Sequence, residues 1–265
     1  MRTSSRFVRP RRLLPLLLLS AVVLLPALAP HGADAARDIL DMGRFTVSRD
    51  SQVVRVEDFA YERQGDSLIV HAASARWREP GTNLHFDKRA VLIVEAQEYD
   101  VLAYTSELET AADTLRRGLS IASGDTAFAL WRQTRRGGAG DVMAMPPGRM
   151  YVLDAPLFSL FGFVGWTLRD RTPDHWPLHA LVLGARDTLV EATVTDAGTQ
   201  DLVWHGQTVS THKLVFGDQQ TSIAAWFTRD GHMLRLEQAQ AGIRVERDAP
   251  TTEPARPAPA PAKKK

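Results

Sequence analysis

The histidines of the chain are the first candidates for a metal site, because imidazole is a common zinc ligand. The pair with the most useful spacing is His175 and His179, but Pro177 lies between them and prevents a shared regular helical face. His205 and His212 lie seven residues apart across a predicted turn, where they could approach each other on paired strands. Neither pair of histidines has a cluster of further potential ligands nearby. We therefore predict no metal site and no other cofactor.

Nucleophilic catalysis needs an activated serine or cysteine. The chain has no cysteine, and its nearest approach to the Gly-x-Ser-x-Gly turn of hydrolases, residues 118–122, lacks the second glycine. Carboxylates are paired at Glu95 and Glu98 and at Glu107 and Glu109. On strands such pairs usually form a solvated face, and a general acid among them would need a pKa raised by burial. The sequence therefore favours a protein that is not an enzyme, with a hydrolase built from scattered carboxylates and histidines as an alternative.

A basic, glycine-rich segment covers residues 132–140. Phosphate-binding loops of this composition lie between a strand and a helix and have a defined glycine spacing. Here Asp141 and the Pro146-Pro147 pair follow instead. We predict an exposed, flexible connection.

The two ends of the chain have compositions of their own. Basic residues precede an apolar run at residues 13–25, and the small-x-small sequence Ala33-Asp34-Ala35 follows, which is the order of a secretory signal peptide. We predict residues 1–35 to be a cleaved signal peptide, with a retained anchor as the alternative, and a periplasmic or secreted protein. Residues 250–265 are rich in proline and alanine and end in three lysines, which predicts a disordered tail.

The remaining residues, 36–249, are long enough for a single domain with a sizeable core. They contain 23 basic and 29 acidic residues, a net charge of −6. A body of this charge has no electrostatic reason to bind nucleic acid. No apolar run of membrane-spanning length, about 20 residues, follows the export segment.

Period-two hydrophobicity dominates this body and predicts strands. Residues 54–61 and 68–77 alternate on either side of Gln64-Gly65-Asp66, which is typical of a β-hairpin. A turn is predicted at Pro80-Gly81, and residues 111–123 are ambiguous. The other predicted strands cover 84–94, 99–108, 127–131, 178–183, 188–196, 200–204, 207–216, 220–228 and 233–238, with short turns at Ala197-Gly198, His205-Gly206 and Asp230-Gly231. We predict a mainly β fold, a single curved antiparallel sheet or half-open barrel with one short apolar helix packed on or in it.

That helix is predicted within residues 157–168, the most apolar run after the export segment. Its large side chains recur at helical spacing, Pro156 suits a first helical position, and Asp154 could cap it. A helical backbone would also be expected to tolerate alanine at Gly162 and Gly165. We predict that the segment is a core plug, with a mobile lid over an apolar cavity or a loop that touches a membrane as alternatives.

An apolar ligand held beneath a lid would contact the aromatic and aliphatic residues of this segment. The strand at 220–228 has bulk on both faces, so we expect the segment to lie against it. The predicted ligand-binding residues are Leu157, Phe158, Phe161, Val164, Trp166 and Trp226. A close-packed plug would instead make Phe161→Ala cost about 3–5 kcal/mol.

Residues 178–247 resemble the C-terminal half of uncharacterised exported bacterial β-proteins. The resemblance rests on the Trp204-His205-Gly206 hairpin and on Asp230-Gly231 followed by Leu234-Arg235-Leu236-Glu237. More loosely, the many strands with one apolar helix resemble the half-open barrels of periplasmic lipoprotein carriers. Neither resemblance implies catalytic residues, and a shared fold does not determine function.

Two functions remain open at this point. The first is a non-enzymatic envelope protein that shelters an apolar small molecule, lipid or acyl chain in the curved sheet. The second is a structural or interaction module with a solid core and an envelope protein as partner. A cavity of about 300–1,000 Å³ beneath residues 157–168 would favour the first.

Overall fold

The computed structural model describes residues 38–78, 85–121, 124–170, 175–217 and 222–250. These residues form one sheet with one α-helix, α1 (Ser159–Leu168), and a short 3-10 turn at Ala239–Ala241. The strands are β1 (Asp38–Arg49), β2 (Gln52–Gln64), β3 (Ser67–Arg78), β4 (His85–Glu95), β5 (Val101–Thr110), β6 (Thr114–Ser120), β7 (Ala127–Thr134), β8 (Gly137–Ala144), β9 (Met150–Asp154), β10 (His175–Leu183), β11 (Thr188–Trp204), β12 (Gln207–Phe216), β13 (Ile223–Phe227), β14 (Met233–Gln238) and β15 (Ile243–Arg247).

The strand order is β8-β7-β6-β5-β4-β3-β2-β1-β15-β14-β13-β12-β11-β10-β9. Every neighbouring pair is antiparallel except β9 and β10, which are parallel because α1 carries the chain from one to the other. The first and last strands, β1 and β15, meet in the middle of the sheet. The predicted fold class is confirmed: the protein is mainly β, with one curved, open sheet and one short apolar helix.

The sheet rolls around α1. The helix contacts β2, β3, β14 and β9, although β9 is far from the other three in the strand order. The edge strand β9 also lies against the middle of β5 and is buried along its whole length. The concave face therefore encloses the main core, and α1 lies within it.

Alternation explains the local structure of most strands. In the hairpin of β2 and β3, Phe59 and Tyr61 are buried while their neighbours along the strand are more exposed, and Gly65 has the positive φ of 59° that the turn requires. The predicted hairpin is confirmed. The ambiguous residues 111–123 contribute β6, and the turn predicted at Pro80-Gly81 lies outside the described residues.

Two local predictions were wrong. Ala197-Gly198 is a bulge inside one continuous strand, β11, because the Asp196 carboxylate accepts the Gly198 N–H at 2.7 Å and holds the extra residues within the ladder. Residues 132–140 are exposed, as predicted, but they are not an unpaired connection: they are the paired ends of β7 and β8 around a two-residue turn, since regular cross-strand pairing continues to Thr134 and Gly137.

No helix among the described residues has the length and hydropathy needed to cross a bilayer. With ten residues, α1 falls well below the roughly 20 that a span requires.

Candidate functional site

The N-terminal end of α1 is held by a carboxylate from β2. Glu57 is fully buried, and its two oxygens accept the backbone N–H groups of Phe158 and Ser159 at 2.8 Å each. These N–H groups have no partner within the helix, so the carboxylate satisfies them and complements the positive end of the helix dipole. Burial raises the pKa of Glu57, although Arg55 and the hydrogen bonds from the helix oppose that shift.

Arg55 is the buried cation beside this cap. Its guanidinium lies 4.0 Å from Glu57 and 4.7 Å from the centre of the Phe158 ring. Burial lowers the pKa of Arg55 to about 10, against the opposing effect of Glu57. Breaking a buried ion pair by removing one partner costs about 3–5 kcal/mol, so Arg55 and Glu57 act together as a structural anchor for α1.

The packing of α1 leaves no room for a single added methyl group at two positions. A Cβ at Gly165 would lie 2.1 Å from Cε1 of Phe227, and one at Gly162 would lie 2.7 Å from the Tyr61 hydroxyl. That hydroxyl donates a 2.7 Å hydrogen bond to the Ser159 carbonyl. The expectation that alanine would be tolerated here was wrong, because the helix approaches the sheet too closely.

A second buried polar cluster fixes the chain just before the helix. Asp154 is 1 % exposed and accepts hydrogen bonds from Lys88 and from the Tyr104 hydroxyl, each at 2.5 Å, while Lys88 also donates to the Ala155 carbonyl at 2.8 Å. Burial lowers the pKa of Lys88 and raises that of Tyr104, with the Asp154 carboxylate opposing the first shift and adding to the second. The prediction that Asp154 caps α1 was therefore wrong, because its carboxylate ties β9 to β4 and β5. The helix begins at Ser159 rather than at Pro156.

The structure brings five of the six predicted ligand-binding residues together on or beside α1. Leu157, Phe158, Val164 and Trp166 are at most 8 % exposed, and Phe161 is partly buried with its ring 5.7 Å from that of Phe216. The sixth residue lies elsewhere.

Trp226 projects from the opposite face of β13 to Ala225 and Phe227. The Lys213 ammonium lies 5.1 Å from its ring centre, whereas Phe227 faces Gly165 of the helix. The helix thus lies against one face of β13 and Trp226 belongs to the other.

Two cavities remain near the C-terminal end of α1. One, of about 200 Å³, lies between Gly165, Leu168 and the inner side of β10–β13, and its polar lining includes Asp196 and His212. The other, of about 220 Å³, lies between the chain entering β9 and the first half of β10. Leu168 and Trp176 line both cavities and separate them.

The candidate catalytic groups named from the sequence are dispersed. His205 contacts the Arg247 carbonyl, whereas His212 lies 3.9 Å from Asp196 and His179 lies 3.6 Å from Glu191. Glu95 accepts two backbone N–H groups of its own turn, and Glu107 pairs with Arg116 on the neighbouring strand. Within the described part of the chain, no three potential metal ligands converge.

One histidine that we had not singled out does contact a buried carboxylate. His232 lies 2.9 Å from Asp41, which also receives two hydrogen bonds from Arg247, at 3.0 and 2.6 Å. Burial alone would raise the pKa of Asp41, but His232 and Arg247 together hold it below its ordinary value. The cluster joins β1 to β15 and to the start of β14, so its evident role is to close the middle of the sheet.

The convex face carries a larger but open groove of about 580 Å³. It runs over β1, β15 and β14 and ends at His205 in the tip of the β11–β12 hairpin. Three of its carboxylates have partners: Asp248 accepts a hydrogen bond from Thr46, Glu246 pairs with Arg235 and Arg244, and Glu237 lies 4.0 Å from Arg244.

Sequence reasoning missed Arg55, Glu57, Lys88 and the contacts of Asp154. A signal was present, since Arg55 and Glu57 alternate in phase with Phe59 and Tyr61, which places charges on the inward face of a strand. Lys88 is likewise in phase with Ala90, Leu92 and Val94. Buried charges of this kind need partners, and that requirement predicts a polar contact inside the sheet.

Comparison with known proteins adds information on the fold. No family model and no curated protein matches the chain. Among solved structures, the chain is similar to a crystal structure of a beta-barrel-like protein of the domain of unknown function DUF1849 from Brucella abortus. The TM-score is 0.52 at 9 % identity, and the match covers 78 % of this chain and 94 % of the other. The likeness extends to the fold alone, and it agrees with the resemblance to uncharacterised bacterial β-proteins at that level.

Proposed function

We propose that the protein is a non-enzymatic module of the bacterial envelope that acts on a protein partner through its outer surface. One observation carries this proposal: the concave side, where a lipid carrier would hold an acyl chain, is filled by α1, packed so closely that Gly165 meets Phe227. The signal-peptide pattern of residues 1–35 supports the compartment.

The energetics argue against α1 as a mobile lid. Five large apolar side chains of the helix are at most 5 % exposed: Leu160, Phe163, Val164, Trp166 and Leu168. Exposing them would cost about 1.5–3 kcal/mol each, or roughly 8–15 kcal/mol together. The whole stability of a typical domain is about 5–15 kcal/mol. Moving the helix out would therefore be comparable to unfolding the protein.

The outer surface near the β8 edge offers the best contact for a partner. Trp131 lies over Gly118, where a Cβ would come within 2.4 Å of the indole, and the ring remains 40 % exposed. Val142, on the same face of the adjacent strand, is 71 % exposed. Aromatic residues held rigidly on a surface are characteristic of protein interfaces.

Native mass spectrometry of protein purified from its host tests the filled core. We expect the mass of the polypeptide alone and no acyl chain in an organic extract, whereas a stoichiometric lipid would refute the proposal.

Photo-crosslinking from position 142, with position 109 on the exposed face of β5 as the matched control, tests the surface. A discrete adduct from 142 that Trp131→Ala abolishes is expected, and equal labelling from both positions would exclude a partner contact specific to the β7–β8 edge.

A further inference from the structure

The strand β8 forms an open edge of the sheet. It pairs with β7 on one side, and on its other side no strand of the described residues continues the sheet. All of its residues except Met143 are exposed. The strand at the opposite edge, β9, is buried along its whole length. The sheet therefore has one accessible edge.

The backbone groups of alternate β8 residues point away from β7. Met145, just past the strand, donates its N–H to the Thr126 carbonyl at 2.8 Å, so residues in phase with Met145 face β7. The Val142 N–H, in the opposite phase, instead donates to the carboxylate of the neighbouring Asp141 at 2.8 Å. The residues whose N–H and C=O groups face the open edge are Gly138, Gly140, Val142 and Ala144.

The strand β8 lacks the features that usually protect an edge. Lysine, proline and β-bulges discourage an added strand. Residues 137–144 contain no lysine or proline, and their pairing with β7 continues without a bulge. Gly138 and Gly140 leave the face that carries Trp131 and Val142 without side chains, and glycine inside a strand often marks the close approach of another backbone. An extended peptide complements such an edge, because its own N–H and C=O groups alternate in the same way.

The charges around β8 favour a different protein over a second copy of this chain. Two antiparallel copies that paired all of the outward-facing residues would place Asp141 opposite Asp141, and like charges directly opposed across strands are destabilising. The turn between β7 and β8 is basic, because Arg135 and Arg136 are exposed there. Asp113 lies 4.0 Å from Arg135, whose side chain remains 77 % exposed. An acidic residue at this end of an added strand would complement the turn.

Building on the proposed function, we propose that an extended segment of the protein partner adds to β8 as an antiparallel strand, with an acidic C-terminal end beside the Arg135-Arg136 turn. Antiparallel pairing matches every neighbouring pair of this sheet except β9 and β10. The side chains of the added strand lie over the bare glycines of β8, next to Val142. The Asp141 carboxylate releases the Val142 N–H to a carbonyl of the added strand.

A synthetic peptide tests the edge directly, using the full-length protein labelled with nitrogen-15 in glycine. The peptide alternates threonine and valine and ends in two glutamates. We expect the N–H signals of Gly138 and Gly140 to shift downfield and saturate, with a dissociation constant of about 1 mM or below, and to exchange more slowly with solvent. Gly43, in the middle of the sheet on β1, should show no change.

Two changes in the peptide separate backbone pairing from other binding. Proline in place of the central valine removes an N–H and should abolish the shift. Lysines in place of the two glutamates should weaken binding several-fold, because they face the basic turn. Equal binding of either altered peptide, or no saturable shift at ten times the expected concentration, would overturn the proposal.

A matched pair of variants tests the same contact from the side of the protein. Gly140→Pro removes an outward-facing N–H, at a position where proline leaves the pairing with β7 intact, and should weaken peptide binding about tenfold or more. Gly140→Ala keeps the N–H, and its new Cβ would lie at an ordinary distance of 3.5 Å from the Leu130 carbonyl, so it should bind within a few-fold of the parent. Equal affinity of the two variants would overturn the proposal. If Gly140→Pro fails to fold, the proline peptide with the parent protein provides the same test.

Photo-crosslinking from position 142 separates strand addition from the proposed function. Gly140→Pro should abolish the adduct, and Gly140→Ala should retain it. An adduct that persists in Gly140→Pro would overturn strand addition and leave the protein partner in place. No adduct in any variant would refute the partner, and the peptide titration would still decide whether the edge accepts a strand. Slower exchange at both glycines in the protein alone, increasing with its concentration, would show a second copy on the edge and overturn the proposal.

Discussion

Alanine at Gly165 should destabilise the protein although the position is helical. In an unpacked helix the change would add about 1 kcal/mol of stability through helix propensity. Here the new methyl carbon would lie 2.1, 2.2 and 2.8 Å from Cε1, Cζ and Cδ1 of Phe227. That ring is 3 % exposed and cannot move into solvent. Close contact with an immobile ring therefore opposes the gain in propensity.

The size of the effect follows from the two opposing contributions. Overpacking a core costs about 1–3 kcal/mol, and three contacts below 3.0 Å place this site at the upper end. Subtracting the propensity gain leaves a net loss of about 2 kcal/mol. For a domain of this size the loss corresponds to a melting temperature lower by roughly 4–8 °C. Urea unfolding followed by circular dichroism measures it directly.

A double-mutant cycle identifies the cause. Leucine at position 227 lacks the ring atoms that the new methyl group would meet, so Gly165→Ala should cost at least about 1 kcal/mol less in a Phe227→Leu background. The same loss in both backgrounds would place the strain elsewhere. An increase in the unfolding free energy of Gly165→Ala would show free space between α1 and β13 and would refute the closely packed helix on which the proposed function rests.

Three further predictions concern the cap, the helix and the tail. Burial raises the pKa of Glu57 above its unfolded value, so between the two values the native state binds more protons, and the contribution of Glu57 to stability falls as pH rises above about 4.5. Glu57→Gln should remove this pH dependence. If the unfolding free energies of the variant and the parent differ by the same amount at pH 5 and at pH 8, the prediction is contradicted. Leu160→Ala should cost about 2–5 kcal/mol in urea melts, and Phe161→Ala, at a partly exposed ring, should fall below the 3–5 kcal/mol of a fully buried phenylalanine; a larger loss for Phe161 would reverse their assigned burial. Deleting residues 250–265 should leave the melting temperature unchanged, and a shift of several degrees would show that the tail packs on the domain.

The sequence predicts β2 to β5, β7 and β10 to β14, because local alternation marks these strands, whereas β1, β6, β8, β9 and β15 were not predicted. The hairpin around Gly65 and the second-half meander depend on neighbouring residues alone, so period and turn chemistry suffice. The parallel pairing of β9 with β10 could not be predicted in this way, because it depends on where α1 returns the chain. The bulge at Gly198 was taken for a turn because both use glycine with positive φ.

The site was less predictable because its contacts span long separations in sequence. Glu57 reaches the N–H of Phe158 across 101 residues, and Lys88 reaches Asp154 across 66. The inward phase of Glu57 and Lys88 indicates that each needs a partner, but not which one.

Because β1 and β15 meet in the middle of the sheet, the two ends of the domain could be joined and the chain opened at another point. Asp248 donates its backbone N–H to the Arg44 carbonyl at 2.9 Å, so the two ends of the folded domain run side by side. A linker of about eight residues would bridge from there to Asp38 at roughly 3.4 Å per residue. Opening the chain between β8 and β9 would then give a circular permutant whose strands follow one another in space as they do in sequence, from β9 through β15 and on from β1 to β8. Such a permutant keeps every pairing while replacing the long-range closure of β1 on β15 with a local one, and it should fold faster than the natural chain.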